Sequence, residues 1–112
     1  MSTSTGNNAE DSAATYLASR GYEIIARNWK TPLCEIDIVV KKNNVISFVE
    51  VKYRSSANQG TGLEYITPKK LQQMRFAANC WVSDTQWSGD YYLSGIEVTG
   101  DYKVTEFIDV IE

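Results

Sequence analysis

The chain has 112 residues and a formal net charge of −3, with 43% hydrophobic and 22% charged residues. That is one domain's worth of core and too little for two, and no apolar run approaches the ~20 residues a membrane helix needs. Histidine is absent; this excludes Ser-His-Asp and Cys-His catalysis and every His-based zinc site, and leaves a carboxylate, a lysine or a metal-bound water as any general base.

The start, residues 1–8, has no basic patch followed by an apolar stretch. It reads as a disordered lead-in rather than a secretory signal, with a single domain over 9–112. The first helix is expected from about Ala9 to Arg20. Ala9, Ala13, Tyr16 and Leu17 share one face, Asn7 or Asn8 can cap the start, and Gly21 suits the position just past the end. Glu10 borders the apolar stripe. A strand follows from Tyr22 to Trp29, then a turn at Lys30-Thr31-Pro32.

Glu35 to Lys41 and Val45 to Tyr53 are β-branched and strand-like. Asn43-Asn44 between them tolerates the positive φ of a tight hairpin turn. Ser55 to Gly62 is a polar loop. A second helix is predicted to open at Thr67-Pro68, a capping residue followed by proline at the first helical position. Its apolar face is Leu71, Met74, Ala78, Trp81 and Val82. Tyr91 to Val98 and Lys103 to Ile111 complete the pattern as two strands. The order helix-strand-strand-strand-helix-strand-strand is that of an α+β domain with a mixed sheet. Cys34 and Cys80 lack metal-ligand spacing and read as reduced thiols of a cytoplasmic protein.

The hairpin carries the chemistry. With Asn43-Asn44 as a two-residue turn, Lys42 pairs with Val45. Asp37 then falls opposite Glu50, and Glu35 opposite Lys52. Directly opposed side chains share a face with Cβ atoms about 4.5–5.5 Å apart, where like charges destabilise a sheet. A divalent cation between Asp37 and Glu50 turns that cost into binding energy; Mg²⁺ (or Mn²⁺) takes one or two carboxylates and keeps several waters. The strand supports the idea. Ile46 and Phe48 are followed on the same face by Glu50 and Lys52, so charge emerges at the end of a buried strand. Against it, Glu-x-Lys on a strand is also the pattern of a solvated sheet face, and a three-residue turn would slip the register by one.

These segments together resemble a known family. Ala9-Glu10, Tyr22 through Asn28, Cys34-Glu35-Ile36-Asp37 and Phe48-Val49-Glu50-Val51-Lys52-Tyr53-Arg54 are similar, in order and spacing, to the motifs of the YraN-like family. Those are bacterial proteins with a restriction-endonuclease-like fold of the PD-(D/E)xK type, related to Holliday-junction resolvases. The resemblance runs from about Ala9 to Val82. It implies that Asp37 and Glu50 are metal ligands and that Glu10 is a further ligand or support. Lys52 would orient or activate the attacking water, or stabilise phosphate charge. Lys70 would match a basic position early in the second helix. Two departures stand out: Cys34 where the family has glycine, and Tyr92-Leu93-Ser94 where it favours Arg-Phe-Asp.

The expected function is therefore divalent-metal-dependent endonuclease hydrolysis of nucleic acid, DNA in the first instance, with Asp37, Glu50 and Lys52 as catalytic residues. Arg54, Lys69 and Lys70 are expected to bind the phosphate backbone. The two lysines fall in the first turn of a helix, where a bound anion is favoured, although both also suit a solvated surface. Trp29, Trp81 and Trp87 could stack on unpaired bases or fill the core. A net negative charge is unusual for a nucleic-acid binder, but with 14 acidic against 11 basic residues, three carboxylates gathered in one site account for all of it. The alternatives are a non-catalytic nucleic-acid-binding module and a protein–protein adaptor. A homodimer is left open.

Overall fold

The computed structural model describes residues 4–55 and 66–112. Helix α1 (Ser4–Ser19) leads into strands β1 (Glu23–Thr31), β2 (Cys34–Lys42) and β3 (Val45–Arg54). Helix α2 (Pro68–Thr85) follows, then β4 (Tyr91–Thr99) and β5 (Val104–Ile108). The five strands form one sheet in the order β1-β2-β3-β4-β5. Only β3 and β4 run parallel, joined through α2. Fold class and element order are those expected from the sequence. No helix among the described residues is long and apolar enough to cross a membrane.

Local chemistry fixes the boundaries. Asn43 and Asn44 adopt φ of 54° and 64°, the left-handed pair of a type I′ turn, whose twist matches that of the flanking strands. Thr67 caps α2: its side chain accepts from the Lys70 amide at 3.1 Å, and Pro68 follows at the first turn. At the end of α1, Gly21 takes φ 91°. The Tyr22 amide then donates to the Leu17 carbonyl and the Gly21 amide to that of Ala18, which satisfies two of the helix's last carbonyls.

Three boundaries differ most from expectation, the simplest being the last strand, which ends at Ile108 and not Ile111. Helix α1 begins at Ser4, so backbone from residue 4 onward, expected as lead-in, is helical. A helix propagates readily into an adjoining turn, because each added residue gains a hydrogen bond without a new nucleus; residues 1–3 lie outside the described residues. The β1–β2 turn is also shorter than expected. Lys30 pairs with Glu35 and Thr31 with Cys34, leaving Pro32-Leu33 as the turn, where proline's fixed φ suits the first central position. The polar loop expected from Ser55 to Gly62 lies, from residue 56 onward, outside the described residues.

The sheet buries both faces. On one, Ala9, Ala13 and Leu17 of α1 pack on Ile38, Val40, Val49, Ile96 and Val98. On the other, Met74, Ala77, Ala78 and Trp81 of α2 pack on Ile36, Val39, Ile46, Phe48 and Leu93. Strands buried on both faces read as near-continuous apolar runs, as in Ile38 to Val40 and, but for Ser47, Val45 to Val49. The run Phe48-Val49-Glu50-Val51-Lys52 breaks that rule where β3 passes the start of α2.

Candidate functional site

The β2–β3 hairpin holds the register inferred from its turn, from Lys42↔Val45 to Ile38↔Val49. There the ladder stops, one residue short of Asp37 and Glu50. Beyond it, the Val51 amide donates at 2.8 Å to Asp37 Oδ2. The β1–β2 ladder is interrupted at the same level: pairs flank Asn28 on both sides, at Arg27↔Ile38 and Trp29↔Ile36, and Asn28 itself has φ 52°. In a regular strand Ile36 and Ile38 would share a face. Here Ile36 packs with α2 and Ile38 with α1, so side-chain alternation inverts at Asp37. The expected face-to-face pair on a continuous ladder is thus modified. Asp37 turns into the gap between β2 and β3 and satisfies backbone that the ladder leaves free.

Glu50 stays on the α2 side, in line with Ile46 and Phe48. It shares a small cleft with Asp37, floored by Phe48 and Met74. Both carboxyls have pKa values raised above their ordinary range, chiefly by burial. The negative charge of Asp37 raises Glu50 further, while the Val51 amide and Lys70 pull Asp37 back down. Lys70 Nζ lies 3.1 Å from Glu50 Oε2. Lys70, expected as a phosphate contact, is therefore a member of the carboxylate cluster.

Glu10 approaches Asp37 from the α1 side. Burial raises its pKa first, and the Asp37 charge second. Its Oε1 is buried without a hydrogen-bond partner, 3.8 Å from Arg27 Nη2; Arg27 is held closer, at 2.7 Å, by Asp11. Among the described residues no three acidic or thiol groups lie close enough to form a ready cation cluster. Asp37 instead stands between two acids approaching from opposite sheet faces. The donor set, two hard carboxylates partly withdrawn from water beside a third with one orphaned oxygen, fits an oxygen-seeking divalent ion. Asp37 and Glu50 are the residues that would hold it.

Lys52 is exposed on β3, two residues beyond Glu50 on the same strand face. Lys69 is exposed beside Lys70 at the mouth of a larger cavity of about 470 Å³, which Glu50 and Glu35 also line. Arg54 departs from the expectation drawn from sequence. It is 6% exposed and cannot lie along a basic rim: its Nη1 reaches Glu97 Oε2 at 3.3 Å, and Thr105 donates to Glu97 Oε1 at 2.6 Å. Two places beyond Lys52 the strand is enclosed again, so the charge of Arg54 is neutralised from β4 instead of by solvent. Glu97 carried no signal of its own among the candidate residues, although an acid between Ile96 and Val98 in a buried strand calls for a buried partner. Of the tryptophans, Trp81 is buried, and Trp29 and Trp87 pack against the same core.

Residues 9–112 match the profile of the Uncharacterised protein family UPF0102, the family to which the YraN-like motifs pointed. The chain is 32% identical to a UPF0102 protein of Cytophaga hutchinsonii over 90% of its own length and 89% of the relative's. It is 35% identical to one from Chloroherpeton thalassium over 86% and 75%. A UPF0102 protein of Rhodopseudomonas palustris is 42% identical over 70% of the chain, and that match spans 58% of the relative.

Proposed function

The chain belongs to the family UPF0102, and we propose that its domain is a divalent-metal-dependent endonuclease hydrolysing nucleic-acid phosphodiesters. The observation that carries this reading is the arrangement of Asp37 and Glu50: two carboxyls with raised pKa values in one cleft, at the point where two ladders break. Perturbed acids cluster at functional sites, and strand irregularities are over-represented beside them.

In this reading a divalent ion such as Mg²⁺ or Mn²⁺, when bound, supplies Lewis acidity and lowers the pKa of a water. The chain's own groups do the rest. The Val51 amide fixes the Asp37 carboxylate, so no side-chain order must be gained on binding. Lys70 releases Glu50 and turns to a substrate phosphate, which lies at the positive end of α2. Lys52 orients the attacking water or stabilises charge developing on the phosphate. Lys69 draws the backbone in, and Glu10 supports Asp37 from the far side.

A second reading, a nucleic-acid-binding module without catalysis, is favoured by one contact: Lys70 already neutralises Glu50. Metal titration separates the two. Catalysis requires Mg²⁺ or Mn²⁺ to raise the melting temperature of the native protein, and Asp37→Asn and Glu50→Gln to abolish that response. A binding module retains salt-sensitive DNA binding with no metal response.

A further inference from the structure

We propose that the cavity beside Glu50 takes an unpaired nucleotide with its base stacked on Phe76, making nucleic acid with single-stranded character the preferred substrate class. This rests on the nucleic-acid reading above. Phe76 is 49% exposed and Leu33, at the tip of the β1–β2 hairpin, is 77% exposed. Both line the cavity that holds Glu50, Lys69 and Lys70. Along the open side of α2 the sequence places Lys69, then Gln72 and Gln73, then Phe76. Steps of three and four residues put these side chains on one helix face.

Each of them suits one part of a nucleotide. Lys69, with the positive end of α2, complements a phosphate. The Gln72 and Gln73 amides can donate to and accept from a base edge. Phe76 offers a ring face, with Leu33 as an apolar wall opposite. A base inside a duplex has both faces covered by its neighbours and cannot use Phe76, whereas an unpaired base can. Size points the same way: about 470 Å³ is the scale of a small-molecule pocket, suited to one nucleotide and too small for a duplex. A second protein copy is a poorer occupant, because two apolar side chains set among lysines and glutamines fall short of the ~800 Å² per partner of a stable interface. The three tryptophans pack against the core, which leaves Phe76, among the described residues, as the exposed ring lining the cavity with Glu50.

The test uses the full chain without divalent metal, so that nothing is cleaved. Affinities are measured at low salt for a blunt duplex and for the same duplex carrying an unpaired tail with 2-aminopurine. The tailed duplex should bind about 5- to 150-fold more tightly, the range for one stacked base, with the 2-aminopurine fluorescence quenched. Phe76→Ala should abolish both the preference and the quenching and leave blunt-duplex binding unchanged; Phe76→Trp should keep both. Equal affinity of the native protein for the two duplexes overturns the inference while leaving the nucleic-acid reading intact. So does a Phe76→Ala effect that sedimentation traces to loss of a dimer. Failure to bind either duplex overturns the inference together with the nucleic-acid reading, and the melting response to Mg²⁺ then reports separately on the carboxylate pair.

Discussion

The Val51 backbone amide donates to the Asp37 carboxylate at 2.8 Å, and this bond replaces the rung that the β2–β3 ladder omits. A buried amide without an acceptor costs about 1–3 kcal/mol. The side chain of Asp37 thus lets the two strands separate without leaving Val51 unsatisfied, and the opening so made admits Glu50 and its cleft. One carboxylate oxygen serves the backbone, which leaves the other for a ligand.

Removing the charge at Asp37 should not unfold the protein. Asn at this position keeps an oxygen acceptor for Val51 and ends the repulsion with Glu50. Both carboxyls have folded-state pKa values above their ordinary 3.8 and 4.5, so the folded protein binds these protons more tightly than the unfolded chain. The pair's contribution to stability is fully present below those ordinary values and is lost as pH rises through the raised ones. Metal-free Asp37→Asn is therefore expected to equal or exceed the native melting temperature at neutral pH, with a flatter decline from acid upward. Metal at a hundred-fold excess over Kd should stabilise the native protein by about 2.7 kcal/mol, and the variant should gain none of this. Thermal melts across pH, with and without Mg²⁺, decide it; an equal metal response in both proteins counts against the site.

Arg54 and Glu97 form a buried pair linking β3 and β4. Cutting one partner away strands the other charge, at a cost of about 3–5 kcal/mol. Arg54→Met should therefore lower stability steeply in urea denaturation. The double variant Arg54→Met with Glu97→Leu should recover most of the loss, because no buried charge remains. If Arg54→Met instead left stability intact and weakened DNA binding alone, Arg54 would be a nucleic-acid contact and not half of a structural ion pair.

Much of this was legible in the sequence where the signal is local. Asn43-Asn44 pointed to the hairpin register because asparagine tolerates the positive φ of a two-residue turn, and Thr67-Pro68 marked the start of α2. The apolar stripes of both helices followed from period alone. The inversion at Asp37 was not legible: it coincides with Asn28 in β1 adopting φ 52°, and asparagine in a strand-like segment does not announce that conformation. The partners Arg54–Glu97 and Glu50–Lys70 are joined only once the parallel β3–β4 pairing and the position of α2 are known. Both are tertiary facts, and pattern within a segment carries no trace of them. The expectation that Arg54 faces the phosphate backbone failed for the same reason.

Lys70→Met separates competition from catalysis. Lys70 is 40% exposed and Glu50 24%, so their pair is partly screened and contributes well under ~1 kcal/mol to stability. Removing the lysine should barely change the metal-free melt. It should enlarge the shift produced by Mn²⁺, since the ion no longer displaces a bound ammonium from Glu50. Nucleic-acid binding should weaken at the same time, because one phosphate-facing cation is gone. Calorimetric titration of metal and anisotropy with DNA read the two effects, and their opposite signs are the expected result. A loss of both would mean that Lys70 holds Glu50 in place instead of competing for it.

Lys52→Ala tests hydrolysis most directly. Lys52 is exposed, so its truncation leaves no cavity and no stranded charge, and stability should stay within about 0.5 kcal/mol of the native value. Metal binding should persist, because Asp37 and Glu50 are untouched. Cleavage should fall by at least about a hundred-fold, the usual loss when a group stabilising transition-state charge is removed. Binding of uncleaved substrate should weaken only slightly, since Lys69 and Lys70 still face the cavity. The assay is a panel of duplex, nicked, branched and single-stranded substrates with Mg²⁺ or Mn²⁺, in which tailed and branched substrates should be cut first. The division of labour is specific: carboxylate variants lose metal and cleavage together, whereas Lys52→Ala loses cleavage alone. If the native protein shows no metal response and cuts nothing on that panel, the binding module becomes the better account.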